Sequence, residues 1–592
     1  MWRYPAYAAL GLLTAALLAA PFWLGSYVLH VLMLAFLAVV LGVSYRLLLL
    51  GGQASFCHGA FYGIGGYVTA ILALRYQIDV WLLTVPAALA AGFCALVLGA
   101  ISLRTKGPYF FLMTFGFLMV FDSFVSNAQR LTGGYSGLAN IPPPFGIGTQ
   151  WQFYYVILAV TAAIVGLFAY LERTVFGLQI RAIGQSDQLA EALGVSRARS
   201  LIAAFVVGAA AAGLGGTFYA SYITFVSPNS FSMWVSINAL TYSIVGGFDT
   251  LLGPTLGAAS VTLVPLAFDW SAELVQTLVA ASIVAIMMFF PAGLEGIVRR
   301  FAPALLEAGP ERTRSAGTPP HSPVQRSSAP EPSPGRQPLL EVRDLRFGFG
   351  GIRIADGISL EVAEGEVVGL IGPNGAGKST IFNLLSGVLR PESGSIRLAG
   401  EEIAGRPPAA VARSGLVRTF QSTSVFDGLS VFDNVLVAAL RAEAEQRPLG
   451  SWRPRTTLGG AYEAAEHCLS LVRLGHLREA KARDLPYGAK KMLGLAMALA
   501  ARPRMLCLDE PVTGLTGHEV QEFIDTIRRL KSEHDITILL VEHRMPVVMQ
   551  LCDRVYALYS GHICAEGKPL EVANDETVQR IYLGEAGRKR RA

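Results

Sequence analysis

Between residues 1 and 300 the sequence holds 12 Lys/Arg and 9 Asp/Glu, and the remaining 292 residues carry the other 70 charges. Three hundred residues so poor in charge cannot clothe a water-exposed surface, so that half needs a non-aqueous surrounding. Apolar segments near 6–24, 26–46, 56–74, 79–102, 108–126, 152–171, 200–225, 232–248, 250–268 and 273–291 supply it, each close to the ~20 residues that cross a hydrocarbon core as a helix. The third, eighth and ninth are Gly-rich or short, which marks them as candidates for re-entrant segments. With ten crossings and an inside N-terminus, Arg3, Arg46, Arg104, Lys106, Arg173, Arg181, Arg197, Arg199, Arg299 and Arg300 face the cytoplasm. Only Arg75 and Arg130 fall outside, as the positive-inside rule requires. The first segment ends near Ala19-Ala20 as a signal peptide might be built, but further apolar segments follow at once, so it reads as a retained helix.

The longest connection between segments, about residues 172–199, is polar. Its Ile183, Leu189, Ala192 and Leu193 are spaced to line one face of a short helix over 181–195, either a docking element or a solvated connector. Asp122 lies four residues from the end of its segment and reads as an interfacial residue rather than an intramembrane site. Residues 302–338 contain nine prolines among Ser, Gly and scattered charge, with no apolar period, and form a flexible tether. The basic cluster Arg588–Arg591 in the 586–592 tail is a solvated end or a contact for anionic lipid. Six cysteines show neither CxxC pairs nor metal-ligand spacing, and read as apolar filler. The net charge of +5 gives no reason to expect nucleic acid.

From Leu339 the pattern changes to short β-rich runs alternating with helical ones, as in an α/β domain. The apolar run EVVGLIG leads into GPNGAGKST (372–380) and then a helical stretch, the strand–loop–helix setting of a phosphate-binding loop. Gly372, Gly375 and Gly377, with Asn374 between them, let backbone N–H groups curl round phosphates at a helix N-terminus. Lys378 neutralises the outer phosphates, Ser379 offers a hydroxyl to Mg²⁺, and Thr380 completes the loop. The apolar strand MLCLDE (505–510) ends in Asp509, suited to Mg²⁺. Glu510, one residue on, is placed to polarise an attacking water.

GPNGAGKST and LCLDEP together resemble the ATPases of ABC transporters, and the resemblance runs over about residues 339–585. It implies an α/β P-loop NTPase with a helical subdomain, binding ATP and Mg²⁺. On the same resemblance, Gln421 in RTFQ contacts Mg²⁺ and water and reports to the membrane domain. Tyr487 and Gly488 in LPYGAKK stand in the signature position, His543 in LVEHRM holds the γ-phosphate, and Phe349 in FGG stacks on adenine. The neighbouring Phe347 is the alternative ring. Two positions depart from the family pattern: Ala489 replaces the usual glutamine after the signature glycine, and Thr516 replaces an Asp or Asn in the loop that couples two ATPase sites. IGPNGAGKST, VRTFQ and LPYG are closest to the ATPases of branched-chain amino acid importers.

The first half independently resembles the permease of those importers, a polytopic α-helical membrane domain. The matching stretches are FCHGAFYGIGGYVTA (56–70), RTKGPYFFLMTFGF (104–117), LTGG (131–134), RAIGQSDQLAEALGV (181–195) and GGFDTLLGPTLGA (246–258). The division expected is therefore a permease over 1–301 with eight to ten spans, the 302–338 tether, an ATP-binding domain over 339–585 and the basic tail. The resemblance implies ATP-driven import of branched-chain or other hydrophobic amino acids across a bacterial inner membrane, with the ATPase cytoplasmic and 181–195 a coupling helix. It implies as partners a periplasmic solute-binding protein, membrane lipid, and a second permease and ATPase from related subunits or another copy. Urea, amides or aromatic acids are alternative cargoes. An exporter or lipid flippase, and an ATP-gated channel without productive turnover, are alternative functions.

Overall fold

The computed structural model describes residues 3–105, 107–268, 293–301, 338–419, 424–445 and 450–580, with isolated positions between 274 and 289. Gln421, residues 302–337 of the expected tether, the basic tail and most of the tenth apolar segment lie outside the described residues. The described chain gathers into two compact units. One holds the N-terminal residues to Gly184 with 198–301, the other 338–580 with the short segment Gln185–Arg197.

In the first unit the first nine apolar segments are helices: α1 (Arg3–Trp23), α2 (Ser26–Leu50), α3 (His58–Tyr76), α4 (Val80–Ser102), α5 (Pro108–Asn127), α6 (Gln150–Arg173), α9 (Arg197–Ile223), α10 (Met233–Gly246) and α11 (Leu252–Phe268). The shorter α7 (Val175–Gln185) and α8 (Asp187–Ala192) follow α6, and α12 (Gly293–Phe301) follows α11. Among the described residues, α2, α4, α5, α6 and α9 are long and apolar enough to cross a membrane. Residues Val39 to Leu48 of α2 are buried, and the helix packs on α6, α10 and α11. On α4, by contrast, Leu82, Val85, Leu89, Phe93 and Val97 stand exposed, a surface suited to hydrocarbon rather than water.

The glycines of α3 have a packing reason. A Cβ at Gly65 would lie 1.9 Å from the Gly213 carbonyl oxygen, and one at Gly216 would lie 1.8 Å from that of Tyr62. Only glycine lets α3 and α9 approach so closely, which is how helices associate where no hydrophobic effect drives them. The Gly-rich third segment is thus a continuous helix of 19 residues.

Arg46, the last residue of the second apolar segment, is the twenty-first residue of α2, 1% exposed. It pairs with Glu172 at the end of α6. Its Nε and Nη2 also donate to the Phe248 and Asp249 carbonyls at 2.8 and 2.7 Å. Arg181 Nη2 donates to the same Glu172 at 3.1 Å and to the Asp249 carbonyl at 3.2 Å. The buried Glu295 of α12 accepts the Thr250 amide at 2.9 Å. Charge-assisted bonds thus close the GGFDT turn against α2, α6, α7 and α12.

The expected single helix over 181–195 is two helices. Ser186 leaves helical geometry, with φ −157° and ψ 103°, and its Oγ accepts the Leu189 amide at 3.3 Å to cap α8. A serine N-cap beginning a new helix competes with continuing the old one.

The second unit is built on two sheets. An antiparallel one contains β1 (Leu340–Phe349), β2 (Ile352–Val362) and β4 (Ser393–Leu398), with β1 central. The other contains β3 (Val367–Ile371), β5 (Leu416–Arg418), β6 (Met505–Asp509), β7 (Thr537–Val541), β8 (Arg554–Tyr559) and β9 (His562–Gly567), in the order β9-β8-β3-β7-β6-β5. From β8 to β5 the pairing is parallel, and β3, β6 and β7 are buried throughout. Parallel strands covered on both faces read as unbroken apolar runs, and their ends collect the polar loops. The helices that matter to the site are α13 (Lys378–Leu385), α14 (Pro408–Ser414), α15 (Val431–Ala444), α16 (Gly459–Leu471), α17 (Tyr487–Ala500) and α18 (Gly517–His534).

Candidate nucleotide site

The phosphate loop starts where β3 ends. Gly375 and Gly377 have φ of 85° and 103°, left-handed values that L side chains rarely adopt. Gly377 caps α13, and a Cβ there would lie 2.8 Å from the Ile354 carbonyl oxygen. Lys378, buried at the first turn of α13, bends back so that Nζ donates to the carbonyls of Gly372 and Pro373 at 2.7 and 3.0 Å. Burial lowers its pKa from the ordinary lysine value, and the nearby Glu510 and Asp509 carboxylates oppose that shift. Asn374 and Ser379 are exposed at the rim of the loop, with Thr380 partly buried.

Parallel pairing of β6 with β7 puts Asp509 beside Val541, so the residues after both strands meet. Glu510 and His543 come together there, with Oε1 and Nδ1 3.9 Å apart. The Glu510 backbone has φ 47°, a sparsely populated conformation for a non-glycine residue, and its amide donates to the Val541 carbonyl at 2.9 Å. Glu542 fastens the two loops. This buried carboxylate accepts the amides of Val512, His543 and Arg544 at 3.3, 3.1 and 3.4 Å. Burial raises its pKa, against those amide donors and the neighbouring His543.

Asp509 is 2% exposed. Its Oδ2 accepts from Arg418 Nη2 at 2.8 Å, while Oδ1 is buried with no hydrogen-bond partner among the described residues. A carboxylate oxygen left over in this way fits a divalent cation, whose preferred donors are hard oxygens. The curled loop, the lysine and the exposed Ser379 hydroxyl fit a nucleotide phosphate equally well.

The aromatic pair divides cleanly. Phe347 is 8% exposed and sits in the core, whereas Phe349, at the end of β1, is 54% exposed with its ring 4.7 Å from that of Phe347. Tyr487 and Gly488 open α17. Tyr487 Oη donates to the Thr513 carbonyl at 3.3 Å, and Gly488 packs under the Glu519 side chain. No hydrogen bond or ion pair among the described residues joins either to Gly372–Thr380. Thr516 N-caps α18 in a reciprocal capping box with Glu519.

Two residues not singled out in the sequence belong to the site. Arg418 was passed over because its partner is 91 positions away. Lys491 is buried, reaches the Glu510 carbonyl at 3.5 Å and lies 5.8 Å from the Tyr487 ring centre. The spacing of LPYGAKK, one helical turn from Tyr487 to Lys491, was the available signal.

The segment Gln185–Arg197 packs within this unit. Gln185 Oε1 accepts the Gly428 amide at 2.7 Å, and Arg413 of α14 donates to the Gly194 carbonyl at 3.2 Å. Leu189 and Leu193 close a cavity of about 30 Å³ whose other walls include Arg418, Thr419 and Lys490.

A phosphate loop, an acidic strand end and a facing histidine on a parallel sheet define an ABC-type ATPase. Residues 355–513 match the ABC transporter family, and residues 27–290 match the family described as branched-chain amino acid transport system, permease component. The chain belongs to the ABC transporters of the branched-chain amino acid transport type, with permease and ATP-binding parts in one polypeptide. The high-affinity branched-chain amino acid transport ATP-binding protein BraF of Pseudomonas aeruginosa is 40% identical over 253 residues, 42% of this chain and 99% of its own length. Its counterpart LivG of Escherichia coli K12 is 39% identical over 253 residues, with the same coverage. The lipopolysaccharide export system ATP-binding protein LptB of Escherichia coli K12 is 33% identical over 249 residues, 42% of this chain and 97% of that protein. The chain is accordingly an ATP-hydrolysing, multi-pass membrane transporter whose ATPase is cytoplasmic.

Proposed function

We propose that the chain imports branched-chain or other hydrophobic amino acids across a bacterial inner membrane, as permease and motor of one machine. The permease match over 27–290 favours this cargo, because the ATPase relatives alone include both a branched-chain amino acid transport protein and a lipopolysaccharide export protein. A periplasmic solute-binding protein delivers the solute, and a second permease and ATPase complete the assembly. The exposure of Tyr487 supports a signature that acts on nucleotide held by the second motor.

The observation that carries the chemistry is the Glu510–His543 pair beside Asp509. Glu510 polarises the attacking water as general base, and His543 donates to the γ-phosphate, holding it in line. Lys378 pairs with the outer phosphates, and Phe349 offers an exposed ring to adenine. Ser379, Asp509 and Gln421 would hold Mg²⁺, which, when bound, offsets charge developing on the transferred phosphoryl group. Residues 302–338 tether the two domains.

The test is uptake of labelled leucine into vesicles holding the purified assembly, with ATPase measured alongside. Stimulation by a leucine-loaded binding protein and inward accumulation are expected. Stimulation by lipid with outward movement would instead make it an exporter, and ATP binding without turnover would make it a gated channel.

A further inference from the structure

The side chain of Arg418 physically joins three parts of the phosphate site. It projects from the last residue of β5, paired in register with Cys507 of β6. Nη1 donates to Asn383 Oδ1 at 2.6 Å, on α13, and to Ser386 Oγ at 3.2 Å, at the C-cap of α13, the helix whose first residues are Lys378 and Ser379. Nη2 donates to Asp509 Oδ2 at 2.8 Å, and the guanidinium carbon lies 5.5 Å from the Phe382 ring centre. The arginine and the aspartate side chains are 6% and 3% exposed. In such a setting the planar fork fixes direction as well as charge, because two nitrogens are committed to different partners.

The consequence lies in the other oxygen of Asp509. With Oδ2 held by Arg418, the carboxylate cannot turn about its own axis without breaking a buried charge-assisted bond. Oδ1 is thereby held in one direction, buried and free of any hydrogen-bond partner among the described residues. We infer that Arg418 is a positioning residue for the divalent cation of the nucleotide: it orients Asp509 so that Oδ1 is offered to the metal, and ties that orientation to α13. The inference rests on Asp509 being the acidic cation ligand. Arg418 touches neither nucleotide nor metal and acts through Asp509. Partners that orient a metal-binding side chain in this way have measurable effects on metal affinity.

Arg418→Lys keeps the charge but not the fork, so a single ammonium cannot serve Asn383 and Asp509 together. The experiment uses the full-length chain in detergent, carrying Glu510→Gln to prevent turnover. A fluorescent ATP analogue is titrated first in EDTA and then with increasing MgCl₂. For Arg418→Lys, the Mg²⁺ concentration giving half-maximal tightening of ATP binding is expected to rise about tenfold, while affinity in EDTA stays within about twofold. Asn383→Ala, which loosens only the far anchor, is expected to shift the Mg²⁺ midpoint in the same direction by a smaller factor. It decides the matter if Arg418→Lys does not fold. An unchanged Mg²⁺ midpoint, or equal weakening with and without Mg²⁺, would overturn the inference and leave Arg418 a purely structural residue. Asp509→Asn separates the two levels. If it leaves the Mg²⁺ response intact, the reading of Asp509 as cation ligand fails; if it abolishes the response while Arg418→Lys does nothing, only the inference fails.

Discussion

Arg46 and Arg418 occupy different halves of the chain and answer the same electrostatic problem in opposite ways. Each is a buried guanidinium paired with a carboxylate, Glu172 in one case and Asp509 in the other. Arg46 spends its remaining donors on the Phe248 and Asp249 carbonyls, so its bonds end in backbone and fasten a turn to α2. Arg418 donates through Nη1 to the side chains of Asn383 and Ser386, on the helix that begins with Lys378 and at its C-cap. The first arrangement holds shape; the second holds the direction of a functional group. Burial and pairing alone therefore do not tell a structural ion pair from one that serves chemistry. What the leftover atoms face does.

The sharpest test of the chemical side is Glu510→Gln. It keeps the shape and the phosphate cradle but removes the base, so ATP binding should survive while steady-state turnover falls at least about 100-fold. Binding and hydrolysis measured on one preparation check it. Persistent wild-type turnover would strip Glu510 of its role and remove the contrast between the two halves.

Arg46→Met is the matching test of the structural side. Removing Arg46 leaves Glu172 and the Asp249 carbonyl to Arg181 and takes the donor from the Phe248 carbonyl, a loss of at most about 3–5 kcal/mol, the range seen when a buried pair is broken. Thermal unfolding in detergent should show the permease half melting earlier, with ATP affinity and its Mg²⁺ dependence unchanged. A change in ATP affinity at equal folded fraction would mean that Arg46 also reports to the motor.

The two arginines also mark where sequence reading stops. The phosphate loop, Asp509, Glu510 and the nine apolar helices were legible because each is encoded in contiguous residues. Phe349 and Phe347 were ambiguous, since both lie on one strand; irregular register near Phe347 and the strand's end decide which ring is exposed. Arg418 was invisible because RTFQ is read for its glutamine, and nothing local announces an aspartate on a neighbouring strand. For Arg46 the sequence placed the residue but not its partners, because Glu172 and the Phe248 and Asp249 carbonyls lie far along the chain. Ser186 was a missed cap: a serine three residues before a leucine amide splits a periodic stretch that amphipathicity alone would continue.

Between the extremes lies the Gln185–Arg197 segment. Its contacts include an amide bond from Gly428, a carbonyl bond from Arg413 and two leucines over a small cavity. If it couples transport to hydrolysis, Leu193→Asp should leave basal ATPase intact and reduce stimulation by the loaded binding protein at least about fivefold. Cysteines at 185 and 428, in a background without native cysteines, should cross-link within or between chains. Failure of both results would make the segment a plain connector, and the cavity wall shared with Arg418 incidental.

The smallest expected effect concerns an ion that is exposed rather than buried. Glu519 accepts the Thr516 amide and hydroxyl, each at 2.8 Å, in the loop where Thr516 stands in place of the expected Asp or Asn. The Thr516 amide first, and then its hydroxyl, lower the Glu519 pKa below the ordinary glutamate value. A carboxyl with a depressed folded-state pKa adds stability that is fully present above its unfolded value of about 4.3. That increment is lost as pH falls through the lower folded value. Thr516→Ala removes the hydroxyl cap and should cost about 1 kcal/mol near neutral pH. The mutant's deficit should narrow as acid protonates Glu519, since the hydroxyl's partner is then neutral in both proteins. Glu519→Gln should flatten this part of the acid dependence while leaving the Arg418–Asp509 geometry untouched. Thermal melts of the three proteins from pH 7 down to pH 3 check it. A deficit for Thr516→Ala that stays constant across that range would show that Thr516 contributes only as a neutral cap, and that exposed and buried carboxylates in this motor do not share the same dependence on ionisation.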